Sequence, residues 1–155
     1  MAGLPRRGLL LGGGAILVGG GIYAAGGRNL FYSAITEASA ATKLSAPDAH
    51  KQAVAGDIVL VDIRRPDEWA KTGSGEGAAR IDMRRSDFLD ALLALTSGKT
   101  DAPVALICAR GVRSARMNNR LIEAGFTRII DVPEGMLGSR AGPGWIKRGL
   151  PLIKP

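Results

Sequence analysis

Val104-Ala105-Leu106-Ile107-Cys108-Ala109-Arg110-Gly111-Val112-Arg113-Ser114, continued by residues 115–125, is the stretch around which the chain is organised. Four apolar residues run into the only cysteine of the sequence, as in a strand that ends at a reactive group. A short loop with two arginines and a glycine follows. Ser114 is then the expected N-cap of a helix that carries Leu121 and Ile122 on one face and stops at Gly125. Strand, tight loop and helix together aim backbone N–H groups into the loop. Cys108 stands at the loop's edge, where the helix dipole, Arg110 and Arg113 all favour a thiolate.

Upstream, residues 41–44 suit a short first strand. Ser45-Ala46-Pro47-Asp48 reads as N-cap, helix start and capping acid, with the helix running to about Ala55 and ending at Gly56. Residues 58–63 are apolar except for Asp62, as in a buried parallel strand. Asp62 falls near the carboxyl end of that strand, the edge where open α/β sheets bind ligands. It suits either a partner for a loop arginine or backbone N–H, or a cap on the next turn. Arg64 and Glu68, four apart across a turn begun by Pro66, are expected to pair with each other and shape the site, and Trp69 to pack. Ile81-Asp82-Met83 suits a short strand. Ser86 is the expected cap of a helix through Phe88, Leu89, Leu92, Leu93 and Leu95. Residues 127–132 read as the last strand, 134–140 as a turn beside the cleft, and Trp145 as either core or a lid, core first. Strands alternating with helices imply an α/β fold, a central parallel sheet with helices on both faces.

The motif from Cys108 to Ser114 closely resembles the active-site loop of rhodanese-type sulfurtransferases. Val59-Leu60-Val61-Asp62-Ile63-Arg64 with Glu68-Trp69 resembles that family's first core strand and its Asp-x-Arg-x-x-x-Glu motif. Ile129-Ile130-Asp131-Val132 with Glu134-Gly135-Met136, then Gly144-Trp145 and Gly149-Leu150-Pro151, resemble its last strand and C-terminal segment. The likeness covers roughly residues 44–151 and implies a rhodanese-like domain over 41–155. Residues 72–78 depart from it: a family histidine is missing, and the glycine-rich stretch Thr72-Gly73-Ser74-Gly75-Glu76-Gly77-Ala78 is expected to be a mobile loop.

Loop length separates this reading from cysteine-dependent phosphatases and arsenate reductases. The phosphatases use Cys-x5-Arg, whereas Arg113 makes this loop Cys-x4-Arg and Ser114 takes the phosphatase position. One residue fewer tightens the ring of N–H groups, which suits a sulfur atom on Cys108 better than a tetrahedral phosphate.

The chain has 155 residues, 46% hydrophobic and 23% charged, enough for one domain and a small appendage. Its net charge is +7, and +5 without Arg6, Arg7, Arg28 and Glu37, all of which precede Ala41. That balance attracts anionic substrates. No basic stripe interleaved with aromatics is present, so nucleic acid is not an expected partner. One cysteine precludes an internal disulfide, and with a lone His50 neither a metal site nor a Cys/His couple is expected. His50 is expected to face solvent, and activation of Cys108 to come from the loop.

Residues 1–40 read as an N-terminal signal or anchor with a spacer. Arg6-Arg7 precedes the charge-free, glycine-rich run of residues 8–25, a pattern that resembles a twin-arginine signal although Pro5 stands where Ser or Thr is usual. Ala38-Ser39-Ala40 fits a cleavage site. Uncleaved, the apolar run is just long enough to anchor the protein in the membrane. The expected location is the periplasm, free or attached to the inner membrane and facing the periplasm.

The resemblance implies two half-reactions without a cofactor. Cys108 takes a sulfane sulfur from a small anionic donor such as thiosulfate. A thiol or cyanide-like acceptor, or an acceptor protein, then removes it. Ala109, Arg110, Gly111, Val112, Arg113 and Ser114 are the expected donor- and persulfide-binding residues, with Asp62, Arg64 and Glu68 in support. Arg113 either orients the donor or turns inward to support the loop. A rival within the same fold is a non-catalytic sulfur-carrier or protein-binding module.

Overall fold

The computed structural model describes Tyr32 and residues 35–154. Arg6, Arg7, the apolar run of residues 8–25 and Arg28 lie outside the described residues. Among the described residues no helix is long and apolar enough to cross a membrane.

Eleven elements follow one another among the described residues beyond Ala41: β1 (Thr42–Lys43), α1 (Ala46–Ala55), β2 (Val59–Asp62), α2 (Pro66–Thr72), β3 (Ser74–Gly75), β4 (Ala78–Arg80), α3 (Phe88–Leu95), β5 (Val104–Ile107), α4 (Val112–Glu123), β6 (Ile129–Asp131) and β7 (Leu152–Ile153). Five strands form a parallel sheet in the order β1-β6-β5-β2-β4, and β3 pairs with β7 in a separate antiparallel ribbon. β5 lies in the middle, so Val104, Ala105, Leu106 and Ile107 are all wholly buried. This explains their unbroken apolar run, because a central strand covered on both faces has no solvent side.

The period of two along each strand distributes side chains between two cores. On one face Val61, Ile63, Val104 and Leu106 meet Phe88 and Leu92 of α3 and Met117 and Leu121 of α4. On the other, Leu60, Ala105 and Ile107 meet Ala46 and Ala49 of α1, Met136 and Trp145. The expected parallel α/β sheet with helices on both faces is therefore the observed one.

The start of α1 follows the sequence reading. Ser45 caps it, its hydroxyl accepting from the Asp48 N–H at 3.3 Å, and Gly56 ends it in the left-handed region with φ of 79°. Other expectations are corrected. Asp87, not Ser86, stands at the cap of α3, and neither Leu89 nor Leu95 belongs to its buried face, being 45% and 43% exposed. The strand expected at residues 81–83 is drawn forward to β4, where Leu60, Val61 and Asp62 align with Ala78, Ala79 and Arg80. The ladder continues past its end, with Ile81 and Met83 N–H groups donating to Asp62 and Ile63 carbonyls at 3.2 and 3.4 Å.

The glycine-rich stretch expected as a mobile loop contains β3, whose partner β7 is almost eighty residues later in the chain. Gly75 is required there by close approach: a Cβ would lie 2.6 Å from the Trp145 indole. Trp145 is core, as expected, with no exposed surface, and its Nε1–H donates to the Pro151 carbonyl at 2.9 Å. His50 does not face open solvent. Its Nε2 lies 2.8 Å from Glu76, and its ring stands edge-on to Trp145 with centroids 5.4 Å apart.

Candidate functional site

β5 carries Cys108 to the carboxyl edge of the sheet, the edge at which crossover connections leave room for a ligand. From there the chain makes a tight turn into α4. Gly111 adopts φ of 84°, and a Cβ on it would lie 2.5 Å from the Pro133 carbonyl oxygen, so the turn needs glycine for both its backbone and its space. Gly111 is also the N-cap position of α4, which corrects the expectation for Ser114. With the helix begun earlier, Ser114 lies inside the first turn, wholly buried, and its hydroxyl donates to the Gly111 carbonyl at 3.1 Å.

The Cys108 side chain is 1% exposed. Its Sγ accepts from the Gly111 N–H at 3.2 Å and lies 3.7 Å from the Ser114 hydroxyl. A backbone donor thus already faces the sulfur, as the strand-loop-helix geometry requires. The loop is held from behind by the turn after β6: Met136 and Leu137 N–H groups donate to the Cys108 and Ala109 carbonyls, both at 2.9 Å. Glu134 anchors that turn by accepting from the Ala46 N–H at 3.0 Å, the Gly144 N–H at 3.1 Å and Arg148 Nε at 2.7 Å. Burial alone raises its carboxyl, but these donors outweigh burial and hold it below the usual carboxylate range.

A cavity of about 410 Å³ opens over Cys108. It is lined by Ala109, Arg110, Val112, Arg113 and Glu68, and also by Arg65, Tyr32 and Leu137. The last three were not expected. Arg65 was legible as a neighbour of the Asp-x-Arg motif, whereas nothing in the sequence marks Tyr32 or Leu137. A larger cavity of about 690 Å³ lies where Phe126, Arg128 and Ile130 meet Thr42, away from the cysteine.

The ion pairs differ from those the spacing suggested. Arg64 and Glu68 do not pair. Arg64, 1% exposed, binds Asp62 through Nε at 2.9 Å and Nη2 at 2.7 Å, and reaches Thr72 Oγ1 and the Gly73 carbonyl at 2.9 and 2.6 Å. The physical reason lies in the backbone. Arg65 is the cap of α2, so Arg64 precedes the helix and the four-residue helical spacing does not apply to it. Asp62 also accepts from the Arg64 N–H at 3.1 Å, which makes it a cap on the turn, and it acts on the Cys108 loop through its charge on Arg113. The Asp62–Arg64 pair therefore stiffens the strand end without lining the cavity.

Glu68 instead reaches the loop. Arg113 donates to both its oxygens, at 2.7 and 2.6 Å, and the Arg65 N–H donates at 3.1 Å. Burial raises the Glu68 carboxyl, but these donors prevail and bring it down to about 2. Arg113 is raised in turn, first by Glu68, against its own burial, and further by the charges of Cys108 and Asp62. Arg113 thus supports the loop by a bidentate pair while keeping one side on the cavity. Arg110 also lines the cavity, with Nη1 donating to the Gly138 carbonyl at 3.0 Å. A buried sulfur, a backbone donor and a cationic wall suit a nucleophile that meets anions.

Residues 45–140 match the rhodanese-like domain family. A sulfurtransferase of Allochromatium vinosum is 27% identical over 99 residues, covering 64% of this chain and 81% of that protein. The polysulfide-sulfur transferase homodimer of Wolinella succinogenes superposes with a TM-score of 0.54 at 26% identity, over 89% of this chain and 93% of its own. A rhodanese-related protein from Thermoplasma volcanium gives 0.54 at 26% identity, over 74% of this chain and 99% of its own. With the match spanning over half of the sequence, and the fold shared with these two solved structures, this chain belongs to the rhodanese-like domain family.

Proposed function

We propose that the protein moves a sulfane sulfur from a small anionic donor, thiosulfate or a similar species, through a persulfide on Cys108 to a nucleophilic acceptor. The Cys108 thiolate attacks the outer sulfur of the donor. A new S–S bond forms, and the donor's own S–S bond breaks with its electron pair leaving on sulfite. The persulfide anion then sits where the Gly111 N–H points. A thiolate or cyanide takes the outer sulfur, and the electron pair of the broken bond returns to Cys108. The reading rests above all on the Gly111 N–H directed at Sγ inside a cavity that also holds Arg110. Ala109, Val112 and Arg113 shape that cavity, Ser114 supports the sulfur from below, and Glu68 holds Arg113.

Intact mass after incubation with thiosulfate tests this reading. The expected result is a gain of one sulfur atom that cyanide removes, with continuous turnover when both are present. Failure to load from any sulfane donor would overturn it. Loading without turnover to small acceptors would favour the carrier module, and robust phosphatase or arsenate reductase activity would favour the rival chemistry.

We further propose that residues 1–40 direct or anchor the protein so that residues 41–155 work in the periplasm. The charge-free run behind Arg6 and Arg7 supports this.

A further inference from the structure

Tyr32 belongs to the part of the chain read as spacer, yet it lines the Cys108 cavity. Its ring lies against the Arg110 guanidinium, 5.4 Å from ring centroid to Cζ. Residues 35–40 are docked on α4. Thr36 Oγ1 donates back to the Tyr32 carbonyl. Asn119 grips the backbone on two sides: its Nδ2 donates to the Ala38 carbonyl at 3.1 Å, and its Oδ1 accepts from the Ala40 N–H at 3.2 Å. Buried Asn118 reaches Ser39 Oγ at 3.5 Å. Arg116 adds an exposed pair with Glu37 at 3.2 Å and a contact with the Ile35 carbonyl at 3.5 Å. An asparagine amide that both donates to and accepts from one extended segment is specific for backbone in that register.

We propose that Tyr32 is a specificity-determining residue of the Cys108 site, held by a strap of residues 35–40 docked on α4, and that the working protein retains this segment. The proposal rests on the function proposed above. Arg110 is clasped between the Gly138 carbonyl and the Tyr32 ring, so its charge is presented to an entering anion in one place. Without the ring, Arg110 loses one of the contacts that place it, and the anion meets a less closely positioned cation. Cleavage after Ala40 would remove the ring and the strap together, so the apparent cleavage site Ala38-Ser39-Ala40 is instead a docking segment.

Two readouts on the full-length protein test this. In turnover with thiosulfate and cyanide, Tyr32→Ala is expected to raise KM for thiosulfate about three- to tenfold, the range a cation–π contact carries, with kcat within about twofold. Tyr32→Phe is expected to restore KM. Asn119→Ala, which releases the strap, is expected to raise KM likewise, and adding Tyr32→Ala to it to raise KM little further. The second readout needs no sulfur chemistry: the ratio of Cys108 alkylation rates with anionic iodoacetate and neutral iodoacetamide. In each reaction the thiolate displaces iodide, so the ratio reads the positioned charge. It is expected to fall about threefold in Tyr32→Ala and to recover in Tyr32→Phe. An unchanged ratio overturns the proposal whether or not the protein transfers sulfur. A wild type that never loads sulfur, while the ratio falls as expected, overturns the sulfurtransferase reading and leaves Tyr32 as a selector of anions. Intact mass of the protein purified from its own cells is expected to include Tyr32, and a chain beginning after Ala40 overturns the proposal.

Discussion

At the scale of single residues, two side chains make opposite demands on the site. Cys108 has to be buried, 1% exposed, and still reachable through the cavity above it. Cys108→Ser puts a near-isosteric hydroxyl in front of the Gly111 N–H that now lies 3.2 Å from Sγ. Folding is expected to survive, with an unchanged urea midpoint, while sulfur transfer falls to background, because the hydroxyl is not ionised at neutral pH. Turnover by the folded variant would refute Cys108 as the sulfur-bearing atom. Glu68 carries the pH dependence. Its carboxyl titrates near 2 in the folded protein against 4.5 ordinarily. The unfolded chain therefore binds more protons between those values, and stability rises with pH across that window. The contribution is complete above pH 4.5 and lost as pH falls to 2. Glu68→Gln is expected to lower stability at pH 7 by about 1–3 kcal/mol and to flatten the acid limb. Urea unfolding at pH 6 and pH 3 measures both effects, and an equal loss for variant and wild type would show that Glu68 does not carry the slope.

At the scale of elements, the site depends on how β5 turns into α4. Gly111 has φ of 84° and stands against the Pro133 carbonyl, which belongs to backbone and has little room to give. Gly111→Ala combines a strained φ with a forced shift of the turn after β6. It is expected to destabilise by about 1–3 kcal/mol and to lower sulfur loading well beyond that fraction of unfolded protein, because the N–H donor to Sγ moves with it. Loading rate at a temperature where the variant is fully folded measures this. Loading at the wild-type rate would show that the donor's position is not important. The expectation that Ser114 caps α4 fails for the same reason: once Gly111 has reversed the chain direction, the helix begins at Val112. A sequence scan for Ser, Thr, Asp or Asn at an N-cap passes over a glycine in the left-handed region.

At the scale of the whole molecule, the domain is basic and its cysteine lies at one sheet edge beside three arginines, Arg65, Arg110 and Arg113. Such a face draws in anions. We propose that the segment before Ala41 decides where this happens. A reporter active only in the periplasm, fused after Pro155, is expected to give signal. A version with Arg6 and Arg7 both changed to lysine is expected to give much less if the twin-arginine route is used. Equal signals would assign the general route or a plain anchor, and no signal with soluble cytoplasmic protein would refute export.

What the sequence determined by itself is what local pattern encodes. The unbroken apolar run of residues 104–107 marks a strand buried on both faces, and the Cys108 loop with its following helix marks a turn that aims a backbone N–H at the cysteine. The caps of α1 at Ser45 and Gly56 follow from residues a turn apart. The tertiary structure alone decided the pairings between groups far apart in the chain. Arg113 takes Glu68 from Arg64, because helix α2 begins after Arg64 and turns the Glu68 carboxylate toward the loop. β3 finds β7 because Trp145, filling the space over Gly75, brings the C-terminal residues back across it. Tyr32 meets Arg110, and Asn119 binds the backbone of Ala38 and Ala40, across about eighty residues of chain. Helix and strand periods are set by neighbours within a few residues. Which carboxylate meets which guanidinium depends on where whole elements are packed, and no spacing along the chain carries that information.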